Sequence, residues 1–116
     1  MKVMISMPMN GRKEEDIKRE RDKIIEKFKK LHIEVIDTLF NEDVPEGEYY
    51  KPTLYYMAKS IDAIGKVDAV YFAKGWSYAR GCLIERDICR SYGVKILDPD
   101  FIDIEEEEDE WWIKTS

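Results

Sequence analysis

The chain has 116 residues, 44% of them apolar, and a formal charge of −6 at pH 7, enough for one domain with a sizeable core. Seven acids between Asp103 and Glu110 carry that charge, leaving 18 acids in residues 1–102 against 18 of the 19 basic residues. A neutral body with an acidic appendage makes no case for binding nucleic acid or a membrane surface, and no apolar stretch is long enough to span a bilayer.

Both cysteines, Cys82 and Cys89, fall in one helical pattern. At 1.5 Å rise per residue their Cα atoms stand about 10.5 Å apart, too far for a disulfide. Two thiols at that spacing with one distant His32 make no zinc site. With no signal-peptide h-region at the N-terminus, the expected setting is reducing and cytoplasmic. No metal or cofactor is implied.

Lys2–Ser6 reads as a first strand, ended by the turn-forming run Met7-Pro8-Met9-Asn10-Gly11. Residues 13–31 follow a helical pattern. Ile17, Ile24, Ile25, Phe28 and Leu31 lie on its inner side, with acids at its start and lysines at its end. Ile33–Asp37 predicts a second strand. Asn41–Pro52, with two prolines, a glycine and several acids, predicts a long loop of the kind that often lids or binds. Thr53 is placed to cap a helix running to Ile64, with Leu54, Met57, Ala58, Ile61 and Ile64 inward and Gly65 as its stop.

Val67–Ala73 is nearly all apolar and predicts a central strand covered on both faces. A further helix runs to Tyr92 and stops at Gly93, and Val94–Asp98 predicts a fourth strand closed by Pro99. Phe101–Ile104 is a candidate fifth strand. Residues 1–102 thus form an α/β domain, and 103–116 an acidic tail ending in a Trp111-Trp112-Ile113 docking segment. The order βαβαβαβ predicts a parallel sheet of four to five strands with helices on both faces, a flavodoxin-like or Rossmann-like three-layer sandwich.

Such sheets bind ligands at the carboxyl ends of their strands, at the topological switch point. The residues placed there are Ser6, Met7, Pro8, Met9, Asn10, Gly11 and Arg12 after the first strand. Lys74, Gly75, Trp76, Ser77, Tyr78, Ala79, Arg80 and Gly81 follow the third. Glu85 comes next, and on a helical wheel Tyr92, Gly81, Ile88, Cys89 and Cys82 lie within about 60° of it on either side. Arg86, Asp87 and Arg90 point the other way. A carboxylate in the middle of a core-facing stripe has either a partner or a job. The plain alternative is a carboxylate that caps backbone amides or pairs with Arg80 or Arg12. Neither a G-x-G-x-x-G fingerprint nor a Walker-type loop is present, and no serine sits in a nucleophile elbow. A helix N-terminus with Arg80 beside it suits an anion, and the faces of Trp76 and Tyr78 suit a nucleobase.

The run DAVYFAKGWSYARGCLIERDICRSYGVKIL and the opening MKVMISMPMNGR resemble nucleoside 2-deoxyribosyltransferase-like proteins, in particular an uncharacterised branch common in phages and bacteria. The likeness covers residues 1 to about 98, and its most specific element is the G-x-x-x-E spacing of Gly81 and Glu85. It implies a flavodoxin-like fold and cleavage or transfer of the N-glycosidic bond of deoxyribonucleosides or their monophosphates. By this resemblance Glu85 is the nucleophile, attacking the anomeric carbon as in retaining glycosidases. It also implies a homodimer or higher homo-oligomer in which a neighbour's C-terminal segment helps to close the pocket. Three helper positions depart from the family: Ala79 replaces an Asp or Ser, Ser60 an Asp, and Met4 a Tyr. Those departures leave two readings open, an enzyme with a different substrate, or a module that captures a nucleotide without cleaving it.

Overall fold

The computed structural model describes residues 1–36 and 43–103. Its elements are β1 (Lys2–Ser6), α1 (Glu14–Lys30), β2 (Glu34–Val35), α2 (Pro52–Ile64), β3 (Ala69–Phe72), α3 (Arg80–Tyr92) and β4 (Lys95–Leu97). Short 3-10 turns at Trp76–Tyr78 and Pro99–Phe101 join them. The strands form one parallel sheet in the order β2-β1-β3-β4, the doubly wound α/β arrangement expected of the sequence.

Alternation along the strands divides the core in two. Val3, Ile5, Tyr71 and Leu97 face α1, where Ile24 and Phe28 cover them. Met4, Val70 and Phe72 face the opposite way, against Ala63 and Ile64 of α2 and Cys82 and Cys89 of α3. Every residue of β3 is buried, as a strand covered on both faces requires. The helix after β1 and the helix after β3 lie on opposite faces, so the crevice between those two strand ends is the switch point.

Local chemistry explains the helix ends. Glu14, Glu15 and Asp16 open α1, and Lys27, Lys29 and Lys30 close it, matching its dipole at both ends. His32 follows at φ 58°, the left-handed position just past a helix that His tolerates better than branched residues. Gly93 ends α3 at φ 70°, where its lack of a Cβ removes the strain.

Several expectations need correction. The second strand is shorter than Ile33–Asp37, pairing only Lys2 with Glu34 and Val3 with Val35. Of the candidate fifth strand Phe101–Ile104, Phe101 instead ends a 3-10 turn over Pro99–Phe101, its amide donating to the Asp98 carbonyl, and Ile102 and Asp103 lie in no strand. Phe101 there stacks on Phe28 at 5.9 Å. Helix α2 starts at Pro52 with Lys51 as its cap, not at Thr53, because proline's fixed φ suits the first helical position. Its inner face is also rotated. Leu54, Ala58 and Ile61 are exposed, whereas Ala63 and Ile64 are buried and Met57 and Ser60 half-buried.

Leu31 and Tyr92, expected inside, are 52% and 81% exposed because each lies at the end of its helix. Arg86 departs in the other direction. Its guanidinium lies 3.9 Å from the Trp76 ring centroid and 5.1 Å from that of Phe72, and its Nη2 donates to Asp98 Oδ1 at 2.8 Å. The aromatic faces repay the burial of a charge that the wheel alone sends outward. Ile104 and the tail beyond it, with Trp111, Trp112 and Ile113, lie outside the described residues.

Candidate functional site

Ser6 is the last residue of β1, and Glu85 lies one turn into α3. Their side chains meet at the switch point, where the Ser6 hydroxyl donates to Glu85 Oε1 at 3.1 Å. Ser6 is 2% exposed and Glu85 8%, so this is a buried carboxylate held by a neutral donor. Burial pushes the Glu85 carboxyl up from 4.5 to about 7, and the Ser6 hydrogen bond opposes that rise. The acid therefore holds its proton to a much higher pH than an exposed carboxyl does. The neighbouring Cys82 thiol is pushed up to about 12, first by burial and further by the charge of Glu85. It is inert as a nucleophile at physiological pH.

Glu85 forms part of the wall of a cavity of about 40 Å³, lined also by Met4–Met7 and Met9 from the β1 end, Ile17 and Arg21 from α1, and Ser60 from α2. Such a space holds ordered water or a small polar group. Met4 and Ser60 are helper positions that the resemblance named, whereas Arg21 lies beyond the expected set. Arg21 is only 6% exposed. It occupies the apolar stripe of α1 at four-, three- and four-residue steps through Ile17, Arg21, Ile24 and Phe28, a spacing legible in the sequence. Ser60 occupies the inward stripe of α2 between Met57 and Ala63, so a polar residue there masked the helix's true face.

Residues 1–98 match the family model described as Domain of unknown function (DUF4406). The chain belongs to that family. No curated protein and no solved structure matches it. The match covers the whole sheet, both faces of helices and the Ser6–Glu85 pair, and ends where β4 has just closed.

Within this DUF4406 domain the expected site residues divide. Ser6, Met7, Met9 and Glu85 come together around the cavity. Pro8 is buried beside them, and its carbonyl accepts a hydrogen bond from Arg12 Nη1 at 2.9 Å. The same nitrogen reaches Glu20 Oε1 at 2.7 Å, so Arg12 braces the β1–α1 turn and does not pair with Glu85. Asn10 and Gly11 are exposed at that turn, with Gly11 at φ 77°.

Gly75, Trp76, Ser77, Ala79, Arg80 and Gly81 do not line the cavity. Gly75 turns the chain at φ 85° into the short 3-10 segment. That segment directs Ser77 and Tyr78 into solvent and spends the Trp76 face on Arg86. Arg80 is exposed in the first turn of α3, and Ala79 caps that helix without a side-chain bond. Trp76 thus lies against Arg86, and Arg80 stands at the start of α3 outside the cavity wall. Gly81 packs toward α2, where a Cβ would stand 3.8 Å from Met57 Cε. Among the described residues, no group of three His, Cys, Asp or Glu side chains is placed to hold a metal ion. No described helix is long and apolar enough to cross a membrane.

Proposed function

We propose that this chain is a cytoplasmic enzyme that cleaves or transfers the N-glycosidic bond of a nucleoside or nucleotide, with Glu85 as nucleophile. The observation that carries the reading is a nearly buried carboxylate, oriented by one hydroxyl and facing a cavity at the switch point. A fold has no structural need to bury such a group. The likeness to nucleoside 2-deoxyribosyltransferase-like proteins supplies the chemistry. Ionised Glu85 attacks the anomeric carbon through one carboxylate oxygen. The C–N bond breaks, its electron pair leaves with the base nitrogen, and that nitrogen takes a proton from solvent. Water, or a second base, then displaces the carboxylate from the sugar and restores it. Ser6 supports this role by fixing Oε1, which leaves Oε2 to meet the ligand.

The test is release of free base from a panel of deoxynucleosides, ribonucleosides and their phosphates, followed chromatographically. Glu85→Gln and Glu85→Ala should abolish release with the circular dichroism spectrum unchanged. No release by the wild-type protein from any member of the panel would end the enzyme reading.

A second reading is favoured by one observation. Met4 and Ser60 line the cavity at positions where the resembled family carries a Tyr and an Asp, so the pocket offers fewer polar helpers for turnover. In that case the protein binds a nucleotide and keeps it intact. Mass spectrometry of denatured protein would then recover the uncleaved nucleotide, and a flat calorimetric titration against a nucleotide panel would count against it. In either reading we infer a homodimer or higher oligomer, with the Trp111-Trp112 segment as its docking element. A strict monomer by light scattering at high micromolar concentration would defeat that inference.

A further inference from the structure

Net neutrality of the body hides where its charges sit. Connections of two to four residues join the end of each helix to the start of the next strand, and the strands run parallel. The helix C-termini therefore share one end of the molecule with the amino ends of the strands, opposite the switch point. At that end the last turn of α1 carries three lysines and the last turn of α3 carries Arg90. Lys66 follows α2, and Lys2 and Lys95 begin β1 and β4. Among the described residues four acids share this end. Three of them are engaged, Glu26 with Lys30, Asp62 with Lys66 and Asp68 with the Lys2 amide, and the fourth, Glu34, is exposed. Seven bases against four acids leave a positive surface. The helix dipoles account for cations in the last turns of α1 and α3. Lys2 and Lys95 start strands and answer to no dipole.

The opposite end is acidic. Glu14, Glu15 and Asp16 open α1 there, and Asp98, Asp100 and Asp103 follow β4. Six more acids come after Asp103 and before Trp111. One chain thus carries a positive end and a strongly negative segment, and the two are complementary. They cannot meet fully within one molecule. Helix α1 has 17 residues, so the two ends stand about 25 Å apart. Seven extended residues, 104 to 110, reach at most about 25 Å, so only the last of their acids would arrive at the far end. We propose that the positive end is the docking surface for the acidic segment, residues 103–110, of a second copy, so that copies associate head to tail. Such a contact is heterologous, and each added copy leaves one free end of each sign, so association continues beyond a pair. The proposal does not rest on the N-glycosidic reading. It is also separate from docking through Trp111-Trp112, because exposed ion pairs are screened by salt whereas apolar contact is not.

The experiment is sedimentation velocity on the full chain in about 0.1 M and about 1 M sodium chloride, across which the Debye length falls from about 10 Å to about 3 Å. Wild type at high micromolar concentration should associate at the lower salt, and its association constant should fall by roughly ten-fold or more at the higher. Two variants separate the surfaces. The first replaces exposed bases of the positive end, Lys29→Glu, Arg90→Glu and Lys95→Glu together. The second replaces four acids of the segment, Glu105→Gln, Glu106→Gln, Glu107→Gln and Glu108→Gln together. Each variant alone should associate roughly ten-fold more weakly than wild type at the lower salt. Mixed in equal amounts, they should recover a salt-sensitive association, because the first keeps its acidic segment and the second its positive end.

A wild-type monomer at the lower salt overturns the proposal. So does association that the higher salt leaves unchanged, which is docking through the Trp segment alone. Association as strong in either variant alone as in wild type overturns it too, and so does a mixture that recovers none. If the first variant does not fold by circular dichroism, Lys29→Gln with Lys95→Gln takes its place under the same criteria. Base release measured on the same samples decides the enzyme reading separately.

Discussion

Replacing Glu85 by Gln should stabilise the protein, and by an amount that depends on pH in a defined way. The carboxyl is nearly buried and titrates near 7 in the folded chain against 4.5 as its ordinary value. A group whose folded value is raised contributes stability fully present below the unfolded value, and loses it as pH rises through the folded one. The relevant window is therefore pH 4.5 to 7. Each pH unit across it is worth about 1.4 kcal/mol, so native protein at pH 8 gives up about 3 kcal/mol relative to a neutral isostere. Gln keeps the shape and still accepts from Ser6, so it removes the charge and little else. Denaturant melts of both proteins from pH 4 to 8.5 measure the difference, in which all other titrating groups cancel. The two curves should agree within about 1 kcal/mol near pH 4, and Gln should be favoured by about 3 kcal/mol at pH 8, or roughly 10 °C in Tm for a domain of this size. A difference flat in pH, or Gln the less stable at pH 8, would refute the reasoning, because the carboxylate would then be stabilised by its surroundings.

Four further outcomes test the rest of the site. Ser6→Ala removes the hydrogen bond that lowers the Glu85 pKa, so the acid limb of the pH–activity profile should move to higher pH; activity lost at pH 7 should largely return by pH 9. Gly81→Ala should fold normally and be neutral to about 1 kcal/mol more stable by chemical denaturation, since the new Cβ meets Met57 at an ordinary 3.8 Å; lost base release in that folded variant would show that the missing side chain serves the ligand. Arg86→Ala should destabilise by about 2 kcal/mol in urea melts, through loss of the Trp76 and Phe72 stacking and the Asp98 bond. Cys82 and Cys89 are buried with thiols pushed up to about 12 and 11, so a thiol reagent at pH 8 should modify them only at the rate of unfolding.

Strand and helix order, the parallel sheet and the buried position of Glu85 were all legible in the sequence, because each is written in periodicity. Val3, Ile5, Tyr71 and the continuous apolar β3 run announce a sheet covered on both faces. Glu85 stands out because the apolar neighbours at helical spacing are themselves visible. What was not legible turned on residues whose chemistry contradicts their burial. Arg86 has the composition of a surface residue and is half-buried against the aromatic rings of Trp76 and Phe72, a contact between segments that no local pattern encodes. Arg21 lines the cavity from the apolar stripe of α1, where its spacing was legible and its charge argued against burial; Ser60 was reached through the family resemblance alone, because a polar residue in the inward stripe of α2 shifts the apparent helix face. Leu54 and Ile61 were misplaced by that same shift.

The polar groups around the switch point are arranged in a way that stability alone does not select. A Leu or Gln at position 85 would fill the same volume without a charge to desolvate, and by the linkage above would favour the fold by about 3 kcal/mol at pH 8. The environment also supplies less than it could to hold the ionised form, since Ser6 offers one neutral hydroxyl while Arg12 is turned away to Glu20. A carboxylate stabilised by an ion pair would be a poor nucleophile, because bond formation at carbon would have to break that pair. One held by a single hydroxyl at a pKa of about 7 is ionised often enough to attack and loses little when it does.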